Sequence, residues 1–505
     1  VKRLISKHAL PLAVLTLTLT ISGCISTHGI GPHTQPMPAD QLQTDAAIAQ
    51  SRSDAHWPDS RWWQAYGDAQ LNSWIDDAQR NSPTLAEAAA RVRQAKAMAG
   101  IEAANESPQL TGKASITRHK WPTDNYYGPG ELADVTNFDN NAALGLSYSL
   151  DLWGRDASAT EQALDNAHAS AAQQRAAQLE LQGNIVRSYI QLSEQYAQRD
   201  ILKALLAQQQ QVLDLAQKRF DHGIGTQLEV SQAQTSLPET RRQIDSLDES
   251  IALTGNQLAA LAGKGPGAAR TLQRPTLTLA APLALPAHLP AQLLGQRPDV
   301  VASRWRVNAQ ARGIEVARAG FYPDVDLSAS LGFSGTGGGV LEFLTANKLG
   351  GTVGPALSLP IFDGGRLRGQ LGAASAGYDL AVAQYNQTLV QALKDISDQL
   401  IRRQSMDTQA ALASQGVADA QRSYDIARMA FQRGLTGYLE VLNAQTQLFR
   451  EQQIQQQVQA TRLQTQASLV IALGGGVGAG SDSPNPARAT PAKPGLALLR
   501  GEQQP

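Results

Sequence analysis

Few residues in this chain have the type and spacing to do chemistry. Cys24 is the only thiol in 505 residues. One cysteine closes no intrachain disulfide and builds no cysteine-rich zinc site. A thiol nucleophile needs a folded pocket that lowers its pKa, and Cys24 stands too near the N-terminus to expect one. The glycine-rich run Gly335–Val340 has valine where a dinucleotide fingerprint needs its third glycine. No GxxxxGK[ST] phosphate loop, GxSxG elbow or histidine cluster occurs. Lys and Arg total 43 against 44 Asp and Glu, so there is no basic excess to neutralise a nucleic acid. We therefore expect no enzyme, no cofactor, no metal and no nucleic-acid partner.

The surroundings of Cys24 give it another use. Lys2, Arg3 and Lys7 precede an apolar run over Ala9–Ile21, and Ile21-Ser22-Gly23-Cys24 follows. About 13 apolar residues fall short of the ~20 that a membrane-spanning helix needs. The pattern is that of a secretory signal peptide. Its last four residues resemble a bacterial lipobox, with Ile21 in place of the usual leucine. That resemblance implies cleavage after Gly23 and a lipid on Cys24. Ile25 rather than aspartate after the cysteine favours, by analogy with enteric bacteria, sorting to the outer membrane. Residues 1–23 are thus read as signal peptide and 24–60 as an extended tether. The Gly/Pro/Ala/Ser-rich residues 475–505 are read as a disordered tail.

The elements between are duplicated. The stretch from Phe220, FDHGIGTQLEVSQAQTSL, and that from Phe431, FQRGLTGYLEVLNAQTQL, lie 211 residues apart and share 9 of 18 residues. The same offset joins Gly154-Arg155 to Gly365-Arg366 and Gly263 to Gly474, and an offset of 215 joins Pro83 to Pro298. The repeats are assigned to 61–270 and 298–474, with a linker at 271–297. Each begins with a helix, 83–105 or 298–320. Strands follow: Val325, Leu327, Ala329, Leu331 and Phe333 alternate with small or polar residues, as do Leu144, Leu146, Tyr148, Leu150 and Leu152. The partner of the latter is expected near Val353–Ile361. A helix over 155–222 or 366–433 comes next, about 100 Å long at 1.5 Å per residue. After a glycine turn, a second helix returns over 228–262 or 439–473.

Ile190, Ala197, Ile201, Leu205, Val212 and Ala216 repeat at coiled-coil spacing, as do Ile244, Leu247, Ile251, Leu258 and Leu261 on the returning helix. The second copy is more polar there, which predicts a weaker seam. Pro238 predicts a kink or an irregular start in the first returning helix.

Four strands cannot close a barrel, and a sheet in lipid must leave no open edge. The chain must therefore oligomerise: two copies would give eight strands, a barrel filled by its own side chains, and three copies twelve, with room for a lumen. Here the residues carry a resemblance. RWWQAYGDAQLNSWIDDA (from Arg61), GQRPDVVASRWRV (from Gly295), FYPDVDLSASLGF (from Phe321) and LPIFDGGR (from Leu359) are similar to the lipoprotein (NodT/OprM-like) branch of the outer membrane factors, the TolC-like channels of Gram-negative tripartite efflux pumps. The resemblance implies a mixed α and β homotrimer with a twelve-stranded outer-membrane β-barrel and a periplasmic helical barrel. It implies a passive duct, gated at its periplasmic end, that exports small molecules such as drugs or toxic aromatics. Its partners would be a periplasmic adaptor (membrane fusion) protein, an inner-membrane pump of RND, MFS or similar type, and outer membrane lipid. A type I protein secretion duct and a non-conducting trimeric coiled-coil spacer stay open as alternatives.

The resemblance also locates sites. The hairpin turns would dock on the adaptor through Gly223, Ile224, Leu228 and Glu229 in one tip and Gly434, Leu435 and Leu439 in the other. The glycines suit left-handed turn positions between antiparallel helices. The family's gate tyrosine and aspartate align with Phe431 and Asn443, which lack the hydroxyl and the charge. The expected gate is therefore an apolar constriction of three Phe431 rings with Asn443 hydrogen bonds, and Glu440 as a candidate acidic ring.

Overall fold

The computed structural model describes residues 26–38, 42, 52–53, 58–120, 136–278, 285–286 and 296–476. Gly23, Cys24 and the signal segment lie outside them, as do residues 121–135 and 477–505. The elements are α1 (Ala69–Asn81), α2 (Pro83–Asn105), β1 (Gln109–Lys120), β2 (Thr136–Ser149), α3 (Arg155–Asp221) and α4 (Gln227–Leu261). After the mid-chain segment come α5 (Pro298–Ala319), β3 (Asp324–Thr336), β4 (Leu349–Ser358), α6 (Arg366–Gln432) and α7 (Tyr438–Ala472). The two long helices have 67 residues each and the two returning helices 35 each, so the duplication is carried into three dimensions. No helix among the described residues is long and apolar enough to cross a membrane.

The helices form a layer around α3. Near the strands α3 lies between α2 and α5; toward the tips it lies between α4 and α7, and α6 packs on α5 and α7. Each repeat closes on itself in the same way. Gly263 (φ +68°) ends α4 with its α-carbon against the backbone of Asn81, just before α2. Gly474 (φ +94°) ends α7 against Gln296, just before α5. A β-carbon has no room at either place, and the left-handed backbone independently favours glycine.

The largest core lies midway along the helices. Trp62, Trp63, Tyr66, Trp74 and Ile75 pack on Ile185, Val186 and Tyr189 of α3 and on Leu463 and Ala467 of α7. Asp68 caps α1 by accepting from Gln70 N and Leu71 N, and it also accepts from Tyr189 Oη and Thr276 N. One buried carboxylate thereby fastens the start of the first repeat and the mid-chain segment onto α3.

Several segments expected to connect or hang free are packed where they are described. Of the expected linker 271–297, Leu272 and Leu277 pack on this core, and Leu285–Pro286 pairs in parallel with Arg52–Ser53. The described part of the tether lies along α6. Asp379 accepts from His33 N, Thr34 N and Thr34 Oγ1, Asn386 accepts from Met37 N, and Arg368 donates to Ser26 and His28 carbonyls. The expected disordered tail begins with packed residues, because Gly475 and Gly476 (φ +66° and +61°) fit against Leu179 and Pro58 where larger residues would collide. Pro238 sits inside α4 without breaking it. Flanking side chains hold the helix there: Val230, Ala233 and Leu237 are buried, and buried Thr240 donates to Gln209 Oε1 at 2.8 Å.

Candidate functional site

Two features define the site: a sheet with unlike faces, and a pair of helical tips at the far end of the hairpins. The sheet is antiparallel in the order β1-β2-β3-β4. Its register sets Leu110 beside Leu146, Leu146 beside Ala329, and Ala329 beside Val353. Two rows on, Ala114 lies beside Ala142, Ala142 beside Phe333, and Phe333 beside Leu349. Side chains alternate faces along a strand, so one face carries Leu, Val, Ile, Phe and Ala. The other carries Thr111, Ser115, Asn141, Ser147, Ser328, Ser330 and Thr352. On the apolar face Leu110, Leu144, Leu331 and Val353 are exposed in the single chain. This is the pattern of a barrel wall with lipid outside and a polar lumen inside. β1 and β4 are the edges, each with one unpaired side within the chain.

The tips are two copies of one turn. Gly223 and Gly434 both have φ +74°. At the first, Gly223 N donates to Phe220 O at 2.9 Å and Ile224 N to Arg219 O at 3.0 Å; at the second, Gly434 N donates to Phe431 O at 3.0 Å and Leu435 N to Ala430 O at 2.9 Å. These bonds satisfy carbonyls that a helix end would otherwise leave open. Ile224, Leu228, Leu435 and Leu439 are all exposed, which gives each tip a small apolar surface. Glu229 is engaged in a capping box with Thr226, each bonding the other's backbone N–H. Gly437, in the equivalent cap of α7, has no side chain to do the same.

The residues expected at the gate separate. Asn443 and Glu440 are exposed on α7. Phe431 is 0% exposed, inside a cluster with Val212, Ala233, Tyr424, Tyr438, Val441 and Leu448. A constriction of three Phe431 rings does not fit this placement, because each ring is consumed by its own chain's core. At the positions matching the first copy's repeat the second seam is the more open one, as expected: Ile190, Val212 and Ala216 are buried, whereas Ile401, Leu412 and Ser423 are exposed. Near the tip a cluster drawn mostly from α6 and α7 packs instead.

Arg219, which sequence reasoning missed, joins the two tips. Its guanidinium lies 4.8 Å from the centre of the Phe431 ring. Nη1 donates to Phe431 O at 3.2 Å and Nη2 to Ile224 O at 3.3 Å. One side chain of α3 thus holds a carbonyl of each turn and covers an aromatic face. The sequence held a trace of it: the position 211 residues on is Ala430, a large-to-small difference between the repeats. Nearer the strands, burial pushes the Asp165 carboxyl up to about 6, with the Arg312 charge opposing and Glu161 adding. Among the described residues there is no cluster of metal-binding side chains.

The two-faced sheet, continuous with helices of about 100 Å, is one chain's share of a channel wall. The outer membrane efflux protein family model matches residues 74–264 and 289–475, and the chain belongs to that family. It is 52% identical over 372 residues to the fusaric acid resistance protein FusA of Burkholderia cepacia, covering 74% of this chain and 70% of FusA. It is 31% identical to the pyoverdine export outer membrane protein OpmQ of Pseudomonas aeruginosa, covering 92% of this chain and 96% of OpmQ. The crystal structure of the outer membrane protein VceC of Vibrio cholerae superposes with a TM-score of 0.77 at 36% identity, covering 83% of this chain and 99% of VceC. The protein is an outer membrane efflux channel of TolC-like fold, with the strands in the outer membrane and the helices in the periplasm.

Proposed function

We propose that three copies of this chain form the exit duct of a tripartite pump that expels small toxic compounds. The observation that carries this reading is the sheet with unlike faces and two open edges. Four strands with one apolar and one polar face need β4 of one copy against β1 of the next to close in lipid. A non-conducting spacer would have no use for the polar inner face. Fusaric acid is the first compound to test, because the 52% identical relative is named for resistance to it. Cys24, cleaved after Gly23 and acylated, serves as a second anchor beside the barrel.

In this reading Gly223, Ile224, Leu228 and Glu229, with Gly434, Leu435 and Leu439, form the tips that meet a periplasmic adaptor, and the adaptor links the duct to an inner-membrane pump of RND, MFS or similar type. The glycines shape the turns and the exposed leucines and isoleucine supply the apolar contact. The resting gate is a clasp rather than a plug. Arg219 and Phe431 hold the two tips together, and Glu440 and Asn443 line the exposed side of α7, where neighbouring copies approach.

Deleting the gene from its host and restoring it on a plasmid tests the function. The deletion should lower the inhibitory concentration of fusaric acid at least fourfold, and the wild-type gene should restore it. A deletion strain that keeps full resistance to it and to a panel of small toxic compounds would sink the efflux reading.

A further inference from the structure

The loop over residues 337–348 joins β3 to β4 at the end of the sheet away from the helices, the extracellular end. It does not stand up into solvent. Asn140 of β2 lies on the same face as Ala142, Leu144 and Leu146 and opposite Gly335 of β3, so its side chain belongs to the apolar outer face. Asn140 is 2% exposed; its Nδ2 donates to Val340 O at 2.9 Å and its Oδ1 accepts from Thr117 N at 3.2 Å. A β-carbon on Gly335, pointing to that face, would lie 3.0 Å from Phe343 Cβ and 3.2 Å from Lys348 Nζ. Phe343 is 4% exposed. The loop is therefore folded down over the outer face of the barrel wall, with Phe343 as its plug and Asn140 as its pin.

Folded this way, the loop presents apolar side chains outward. Val340, Leu341 and Leu344 are 43%, 65% and 49% exposed. The one carboxylate among them, Glu342, is turned back onto the loop's own Gly339 N at 2.8 Å. The patch is continuous with Leu349 and Leu331, exposed residues of the lipid-facing wall.

We propose that this loop is a lipid-facing flap whose occupant is the acyl chains of the outer leaflet. It extends the apolar belt at its extracellular rim, and Lys348 sets its ammonium among the lipid phosphates. The proposal rests on the barrel reading. Its physical basis is continuity: three large apolar side chains next to a lipid-covered wall gain by joining it, whereas in water they would stay hydrated.

Nitroxide labels on Leu341→Cys, Leu144→Cys and Gln227→Cys, the last at the water-exposed first tip, test it; the unsubstituted chain carried through the same labelling is the blank. The trimers are reconstituted in phosphatidylethanolamine–phosphatidylglycerol vesicles, and collision rates with oxygen and with a water-soluble nickel chelate are compared. The label at 341 should match the label at 144, with an oxygen-to-nickel ratio several-fold above that at 227. A label at 341 that behaves like the one at 227, while 144 reads as lipid, would overturn the flap alone. A water-exposed label at 144 would overturn the barrel reading and the flap with it. Adding Asn140→Ala should move the 341 label toward the aqueous value; an unchanged ratio would remove Asn140 from its assigned role.

Discussion

The first and second hairpin tips have the same turn and opposite dependence on the rest of the chain. Both glycines sit at φ +74° with the same pair of closing hydrogen bonds. Yet Phe220 is 39% exposed, and its repeat mate Phe431 is fully buried. The first tip is held locally, by the Thr226–Glu229 capping box. The second has a bare glycine cap and is held by an aromatic cluster that its own helices complete with Val212, Ala233 and Arg219 of the first hairpin. Duplication copied the local geometry, and divergence redistributed what stabilises it. A tip that depends on non-local contacts is one whose release a distant event can control, which is consistent with the gate proposed at the second hairpin.

The largest test of this contrast is a pair of truncations. Phe431→Ala should cost about 3–5 kcal/mol, the usual range for a buried phenylalanine, and should raise single-channel conductance in planar bilayers. Phe220→Ala should cost roughly 1 kcal/mol or less, in line with its half-exposed site, and leave conductance unchanged. Equal effects from the two would break the comparison. Arg219→Ala comes next. Losing two hydrogen bonds and a cation–π contact should raise conductance while the trimer still forms on gels; an unaltered channel would remove Arg219 from the clasp.

A third test concerns a repeat difference away from the tips. Asp165 is buried, whereas the equivalent Ala376 is exposed. A carboxyl whose folded pKa is raised to about 6 binds its proton more tightly in the folded state. Stability should therefore fall as pH rises from about 4 to about 6. Asp165→Asn should flatten that dependence and raise the melting temperature at pH 7 by a few degrees. A wild-type melting temperature independent of pH across this window would contradict the assignment. The smallest expected effect lies in the caps. Thr226→Ala should cost about 1 kcal/mol, read as faster protease cutting at the first tip. Gly437→Ser should gain a few tenths of a kcal/mol, read as slower cutting at the second.

The helices were legible because their signals are local. Proline starts, glycine stops and apolar spacing placed helices at 83–105 and 155–222, and the structure has them at Pro83–Asn105 and Arg155–Asp221. The turns were legible because only glycine adopts their left-handed backbone at no cost. The gate and the belt were not. Phe431 and Phe220 occupy matching sequence positions, and no local pattern around either assigns one to solvent and the other to a core. Phe431 is enclosed by Tyr424, Tyr438, Val441 and Leu448 of its own hairpin together with Val212 and Ala233 of the other, a set that only the packing of α3 and α4 on α6 and α7 assembles. Arg219 likewise carries no motif, since its partners are backbone carbonyls 5 and 212 positions away.

By itself, then, the sequence determined the duplicated unit, the helix and strand order, the alternation that makes a two-faced wall, and the left-handed turns. Each of these follows from side chains acting on their own stretch of backbone. Tertiary structure alone decided which Phe is buried, that Arg219 bridges the tips, that residues 272–277 and 26–38 are fastened to the helices, and that the loop over 337–348 lies on the wall. Those outcomes turn on contacts between residues far apart in the chain, and on burial, which is set by which elements pack together.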